Sequence, residues 1–241
     1  MIRFLLFGGG IVLLAWGGLW LFLGGAEDRA AIDRHEAYRI EAEALRENVQ
    51  AGHVEAAFAL ARMVRNGLGV ERDLKEAARL YTEAARAGHL GAILVLGALY
   101  ESGKGVRQSY HRAAEWYALA ERLGQGAEAE FALGQLYFYG RGVIHDYGEA
   151  LSWYRKAARR GHPVAQYVLG GAMYAEGWGL KQDLVEVYKW YTLALADIAA
   201  VKAVSAKFDP EMARKVVAAK MNRSQIKKAE QQAAMWRPGD R

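Results

Sequence analysis

Histidine, aspartate and serine recur along this chain at intervals that invite a chemical reading. His53, His89 and His162, together with Asp73, Asp146 and Asp183, are residue types that ligate metals or exchange protons. Their spacing argues against both. Each of the three histidines directly follows a glycine and falls in the same place of a separate repeat, too far from its equivalents to share an ion. His35, His111 and His145 read as lacking a partner at a ligand spacing such as i, i+4. Each aspartate is followed three residues later by a glutamate (Glu76, Glu149, Glu186), the spacing of a helix capping box, which gives the carboxylates a structural duty and leaves no pair for acid–base work. Ser102, Ser109, Ser152, Ser205 and Ser224 lack the Gly-x-Ser-x-Gly elbow of a nucleophile. The pairs Gly67/Gly69, Gly103/Gly105, Gly140/Gly142 and Gly177/Gly179 could be mistaken for phosphate cradles, but they follow helical stretches rather than strands, and no Gly-Lys-Ser/Thr comes after them. Cysteine is absent, so there is no disulfide and no thiolate. The sequence predicts no catalytic residue, no cofactor and no metal.

The elements that carry these residues repeat every 36 to 37 positions, the period of stacked two-helix units. Leu133-Gly134, Tyr137, Gly140-Arg141-Gly142-Val143 and Trp153-Tyr154 have siblings in Leu96-Gly97, Tyr100, Gly103-Lys104-Gly105-Val106 and Trp116-Tyr117. Leu60-Ala61, Gly67-Leu68-Gly69-Val70 and Leu80-Tyr81 form an earlier copy, and Gly177-Trp178-Gly179-Leu180 with Trp190-Tyr191 a later one. In each copy a first helix, A, ends at the Gly-x-Gly, where glycine supplies the left-handed residue that stops it. Helix B then starts at Asp73, Ser109, Asp146 or Asp183, and its Trp/Tyr pair packs between helices rather than lining a ligand box. Helix B stops at Gly88, Gly124 or Gly161, whereas the fourth copy runs on through Ile198.

This template resembles the Sel1-like repeat family over about residues 41–198. The resemblance implies an all-α fold, an α/α solenoid of Sel1-like, tetratricopeptide-like helix pairs used as a protein-interaction scaffold. Some bacterial members are stapled by disulfides and linked to β-lactam hydrolysis; without cysteine this chain departs from that branch. The expected organisation is an N-terminal transmembrane helix or signal peptide over 1–26 and a lead-in helix over 27–52, read as a degenerate half repeat. Repeats follow at 53–88, 89–124, 125–161 and 162–198, and a C-terminal helical cap with a basic tail closes the chain over 199–241. Asp209-Pro210 and Asn222 with Gln225 mark two helix starts in that cap. Met212, Val216, Val217 and Met221, then Ile226, Ala229, Ala233 and Trp236, are its docking stripes.

Residues 4–26 carry no charge, follow Arg3 and precede Glu27-Asp28. About 20 apolar residues in a helix cross a bilayer. Arg3 in front predicts a cytoplasmic N-terminus, hence a single pass through the inner membrane with the repeats in the periplasm. The length favours an uncleaved anchor over a cleaved signal peptide. Gly10, Gly17 and Gly24, at heptad spacing, would let a second membrane helix, from a partner or another copy of the chain, approach closely. The net charge of +5 sits in residues 197–241, where ten Lys and Arg face five Asp and Glu. No basic face interleaved with aromatics is present, which excludes a nucleic-acid binder.

Recognition is expected where the repeats differ: Arg62, Arg65, Asn66, Glu101, Ser102, Gln135, Phe138 and Tyr139 on the A helices, which line the concave face of such solenoids. The loop edge adds Lys104, Arg141, Ile144, His145 and Trp178. The function predicted is a non-enzymatic scaffold that binds a protein or peptide partner and is tethered to a membrane. The alternatives are a cell-envelope hydrolase and a membrane organiser acting through the glycine ridge and the basic tail.

Overall fold

The computed structural model describes residues 4–7, 10–14, 20–23, 26–124, 126–175, 180 and 182–239, with side chains from residue 34 onward. It comprises two compact units, Met1–Ala87 and Gly88–Arg241.

The first unit opens with three short antiparallel strands, β1 (Phe4–Phe7), β2 (Gly10–Leu14) and β3 (Trp20–Leu23), where a transmembrane helix was expected. Among the described residues no helix is long and apolar enough to cross a membrane. Glycine explains the departure. Each glycine costs a helix about 1 kcal/mol relative to alanine, and here they punctuate the segment into apolar runs of strand length, one of them carrying the β-branched Ile11 and Val12. Of the expected heptad ridge, Gly10 lies in β2 opposite Phe7, while Gly17 and Gly24 lie outside the described residues.

Three helices complete this unit: α1 (Ala26–Gln50), α2 (Val54–Asn66) and α3 (Leu74–Arg86). Helix α1 is mostly polar, with Arg39 forked between Glu36 (2.6 Å) and Glu43 (2.8 Å) on its exposed side. Gly67 ends α2 in the left-handed conformation at φ +71° and donates its N–H to the Met63 carbonyl. Asp73 then starts α3 by accepting from the backbone N–H of Lys75 (2.8 Å) and Glu76 (3.1 Å). The buried Tyr81 of α3 meets Phe58 of α2 edge-on, at 5.7 Å between ring centres. Gly69 lies directly on α1, where a Cβ would fall 2.3 Å from the Tyr38 carbonyl carbon. Only glycine permits that approach.

The second unit alternates A and B helices that pack in chain order: α4 (Leu90–Ser102), α5 (Tyr110–Arg122), α6 (Gly126–Tyr139), α7 (Tyr147–Arg159), α8 (Pro163–Tyr174) and α9 (Leu184–Ala194). The Leu-Gly of each A helix now has a physical reason. Tyr117, Tyr154 and Tyr191 of the B helices pack on Gly97, Gly134 and Gly170, so close that a Cβ would sit 2.4, 2.7 and 3.0 Å from the respective rings. Each tyrosine is buried with the neighbouring Leu96, Leu133 or Leu169. Gly142 repeats the role of Gly69: a Cβ there would fall 2.4 Å from the His111 nitrogen, at the start of the preceding B helix.

Past α9 the chain does not continue as one helix. A 3₁₀ turn (Leu195–Asp197) leads into α10 (Ile198–Val204), capped by Asp197, and then α11 (Pro210–Ala218) and α12 (Arg223–Met235) pack on α9. The expected docking stripes hold only in part: Val217 and Ala229 are buried, but Met212 (57% exposed) and Val216 face outward. Beyond α12 the Trp236 ring rests against Gly161, and the Gly239 N–H donates to the Arg159 carbonyl at 2.8 Å.

Candidate functional site: an aromatic groove between two A helices

Several of the residues with chemical potential hold the fold together. His89 and His162 are helix N-caps, their Nδ1 atoms accepting from the Ala92 and Ala165 N–H groups at 3.1 and 3.2 Å. That bond places the His162 proton on Nε2, which donates to Glu128 at 3.2 Å and holds the Glu128 carboxyl below its usual range. His53 instead meets Asn48 Oδ1 through Nδ1 at 3.1 Å. His111 does have a carboxylate at i+4, overlooked in the sequence: Glu115 lies 3.4 Å from its Nε2 on an exposed helix face. Among the described residues no three His, Cys, Asp or Glu side chains gather as metal ligands would.

Asp73, Asp146 and Asp183 cap their helices by accepting from two backbone N–H groups each. The expected return bonds from the glutamates are replaced at two of them: Glu76 turns to Arg79 (2.8 Å) and Glu186 to Lys189 (2.6 Å). A full capping box forms between Asn222 and Gln225, with both bonds at 2.9 Å.

The recognition candidates separate into two groups. Arg62, Arg65 and Asn66 lie in the first unit on α2, with the Arg65 guanidinium 5.9 Å from the Tyr81 ring. In the second unit, Glu101 accepts from the Tyr117 hydroxyl at 2.9 Å, and the Ser102 hydroxyl donates to the Ala98 carbonyl at 2.7 Å, so both serve local structure. Lys104 is exposed on the loop after α4, and Trp178 lies outside the described residues.

The remaining six come together around the third repeat. Gln135, Phe138 and Tyr139 of α6 line a groove of about 430 Å³ between α6 and α8. Tyr154 and Tyr191 also line it, Phe131 and Tyr167 stand on α6 and α8, and Val204 and Phe208 close it from the cap. Tyr167 anchors that closure, lying 4.8 Å from the Phe208 ring and accepting from the Asp209 N–H at 3.4 Å. At the end of α6 the groove runs onto an exposed aromatic edge. Phe138 packs on Tyr139 (4.9 Å) and Tyr147 (5.4 Å), and His145 on Tyr147 (4.4 Å). Arg141 lies 4.7 Å from the Tyr139 ring centre and 5.6 Å from that of Tyr110, and Ile144 is 88% exposed beside them. Burial pushes the Tyr154 and Tyr191 hydroxyls well above the ordinary phenol range, so both stay neutral. A surface of this composition suits apolar and aromatic side chains of a partner.

Sequence reasoning missed Phe131, Tyr167, Val204 and Phe208. A signal existed for two of them. Counting three residues back from the A-helix glycine (or Ala61) gives Phe58, Leu94, Phe131 and Tyr167, a recurrent bulky position.

Comparison with known proteins agrees with this architecture. The family model described as Sel1 repeat matches residues 54–89, 91–125, 127–162 and 163–196, together more than half of the chain. One similar solved structure is a protective antigen present in uropathogenic Escherichia coli strains and displaying an SLR fold (27% identity, TM-score 0.66). That match covers 81% of this chain and 40% of the antigen's, so this chain spans well under half its length. Another is a Sel1 repeat protein from Oxalobacter formigenes, with 23% identity and a TM-score of 0.63, covering 79% of this chain and 76% of that one. A comparison with curated proteins gave no match. Four family matches in register with the paired helices, and two solved folds of the same kind, establish that the chain belongs to the Sel1 repeat family.

Proposed function

We propose that this protein is a non-enzymatic interaction scaffold whose groove between α6 and α8 holds a segment of a protein partner. Sel1 repeats are generally protein-interaction scaffolds. The observation that carries the reading is the convergence of six varying positions on one apolar, aromatic groove and its rim, while the repeated residues are consumed in caps, turns and tyrosine–glycine contacts. A photo-crosslinking amino acid at Tyr139 tests it in cells. A specific crosslinked protein is expected there and not from the same group at Lys228, on the exposed side of α12; equal or absent crosslinking at the two positions refutes the groove. Turnover of esters or peptidoglycan by the purified chain would favour the envelope hydrolase instead.

The uncharged residues 4–26, flanked by Arg3 and by Glu27-Asp28, support a membrane tether with the repeats on the periplasmic side. The tether predicts that the full chain resists alkaline extraction from membranes and that added protease reaches the repeats only after the outer barrier is opened. Release at alkaline pH rules it out.

A further inference from the structure

Among the described residues the groove's lining contains no acidic or basic side chain, and the titratable groups there are tyrosines. Its surroundings are less neutral. At the α6 end stands Arg141, held between the Tyr139 and Tyr110 rings with no carboxylate at ion-pair distance among the described residues. At the cap end Lys207, exposed beside Phe208, lines an adjoining smaller hollow of about 220 Å³ that shares Tyr167 and Tyr191 with the groove. Lys207 likewise has no ion-pair partner among the described residues. Asp209, the one carboxylate among the described residues that line that hollow, is engaged as the cap of α11, its Oδ1 accepting from the Met212 N–H at 3.0 Å. Low-dielectric walls between like charges concentrate their field over the opening. A cationic segment would leave both bases unpaired and add repulsion, whereas a carboxylate on either side of an apolar anchor meets an unsatisfied cation.

We propose that the segment this groove accepts is acidic: bulky apolar side chains seated between α6 and α8, flanked by aspartate or glutamate facing Arg141 and Lys207. This rests on the groove being the binding site and adds the charge of the partner.

The test uses the full chain and two labelled synthetic peptides with the same Leu and Phe anchors, one with glutamates and the other with lysines at the intervening positions. Fluorescence anisotropy at low salt should show the glutamate peptide binding roughly tenfold or more tightly, with the gap closing at about 1 M salt. The double variant Arg141→Glu/Lys207→Glu, both residues being exposed, should reverse the order, whereas Tyr139→Ala should weaken both peptides without changing it. Equal binding, or preference for the lysine peptide, overturns the charge assignment while leaving the groove in place. If neither peptide binds, the acidic assignment falls as well, and the crosslink from Tyr139, which does not depend on peptide charge, decides separately whether the groove is a binding site.

Discussion

Gly142 and Gly124 offer an internal measurement of how much close approach between repeats contributes to stability. Both have positive φ (+70° and +88°), so alanine at either pays the left-handed penalty of about 1–2 kcal/mol. Only one of them has a neighbour. A Cβ at Gly124 meets nothing within 4 Å, whereas one at Gly142 falls 2.4 Å from both the Tyr110 carbonyl carbon and the His111 nitrogen, backbone atoms that cannot swing aside. Displacing the loop to relieve that overlap costs about 1–3 kcal/mol, as overpacking generally does. Gly142→Ala should therefore be destabilised by about 2–5 kcal/mol and Gly124→Ala by about 1–2 kcal/mol. For a chain of this size 1 kcal/mol is about 2–4 °C in Tm, so the excess at Gly142 is roughly 2–12 °C. Thermal melts followed by far-ultraviolet circular dichroism read the difference. Equal losses at the two glycines would show that the loop does not bear on the preceding helix, and the account of how neighbouring repeats are joined would fail with it.

Three further outcomes follow from the packing and the charges. Tyr139→Ala, at a side chain 56% exposed, should move stability by no more than about 0.5 kcal/mol, while Tyr154→Ala, which empties the contact on Gly134, should cost about 3–5 kcal/mol by chemical denaturation. Asn222→Ala removes a reciprocal capping box and should cost about 0.5–2 kcal/mol, whereas Glu76→Ala, whose side chain serves Arg79 on the surface, should cost about 0.3–0.5 kcal/mol. Glu130 is 1% exposed, and its carboxyl is pushed up by burial, which outweighs the Arg160 guanidinium 3.1 Å away. Because its folded pKa lies above the unfolded one, its contribution is most favourable when protonated and is lost as pH rises through the folded value. Glu130→Gln should be at least as stable as the parent at pH 7 and lose that advantage in acid; an unfolding free energy that falls equally at both pH values refutes the reasoning.

What the sequence made legible was local. Helix starts at Asp73, Ser109 and Asn222 and stops at Gly67 and Gly103 are decided by neighbours within a turn, and the structure places them as read. The recurrence of Leu-Gly was visible but its cause was not, because Tyr117 lies twenty residues from Gly97 and only the fold brings its ring there. Phe208 joins the groove across an even longer separation from Tyr167. Glu101 and Ser102 differ between repeats, and the sequence did not show that they also bond to Tyr117 and to the residue's own helix. At the N-terminus the same apolar, glycine-punctuated string satisfies a membrane-helix pattern and a strand pattern alike, and hydropathy alone did not choose between them.

The stitch from Gly239 to the Arg159 carbonyl, with Trp236 against Gly161, reaches back over the whole of the fourth repeat to the turn before it. The closing segment is thus a ruler one repeat long. Duplications spliced in upstream of that turn leave the ruler's two ends where they are, so the array can lengthen there without redesigning its finish. Deleting the fourth repeat, by contrast, would leave the tail with nothing of the right span to grip.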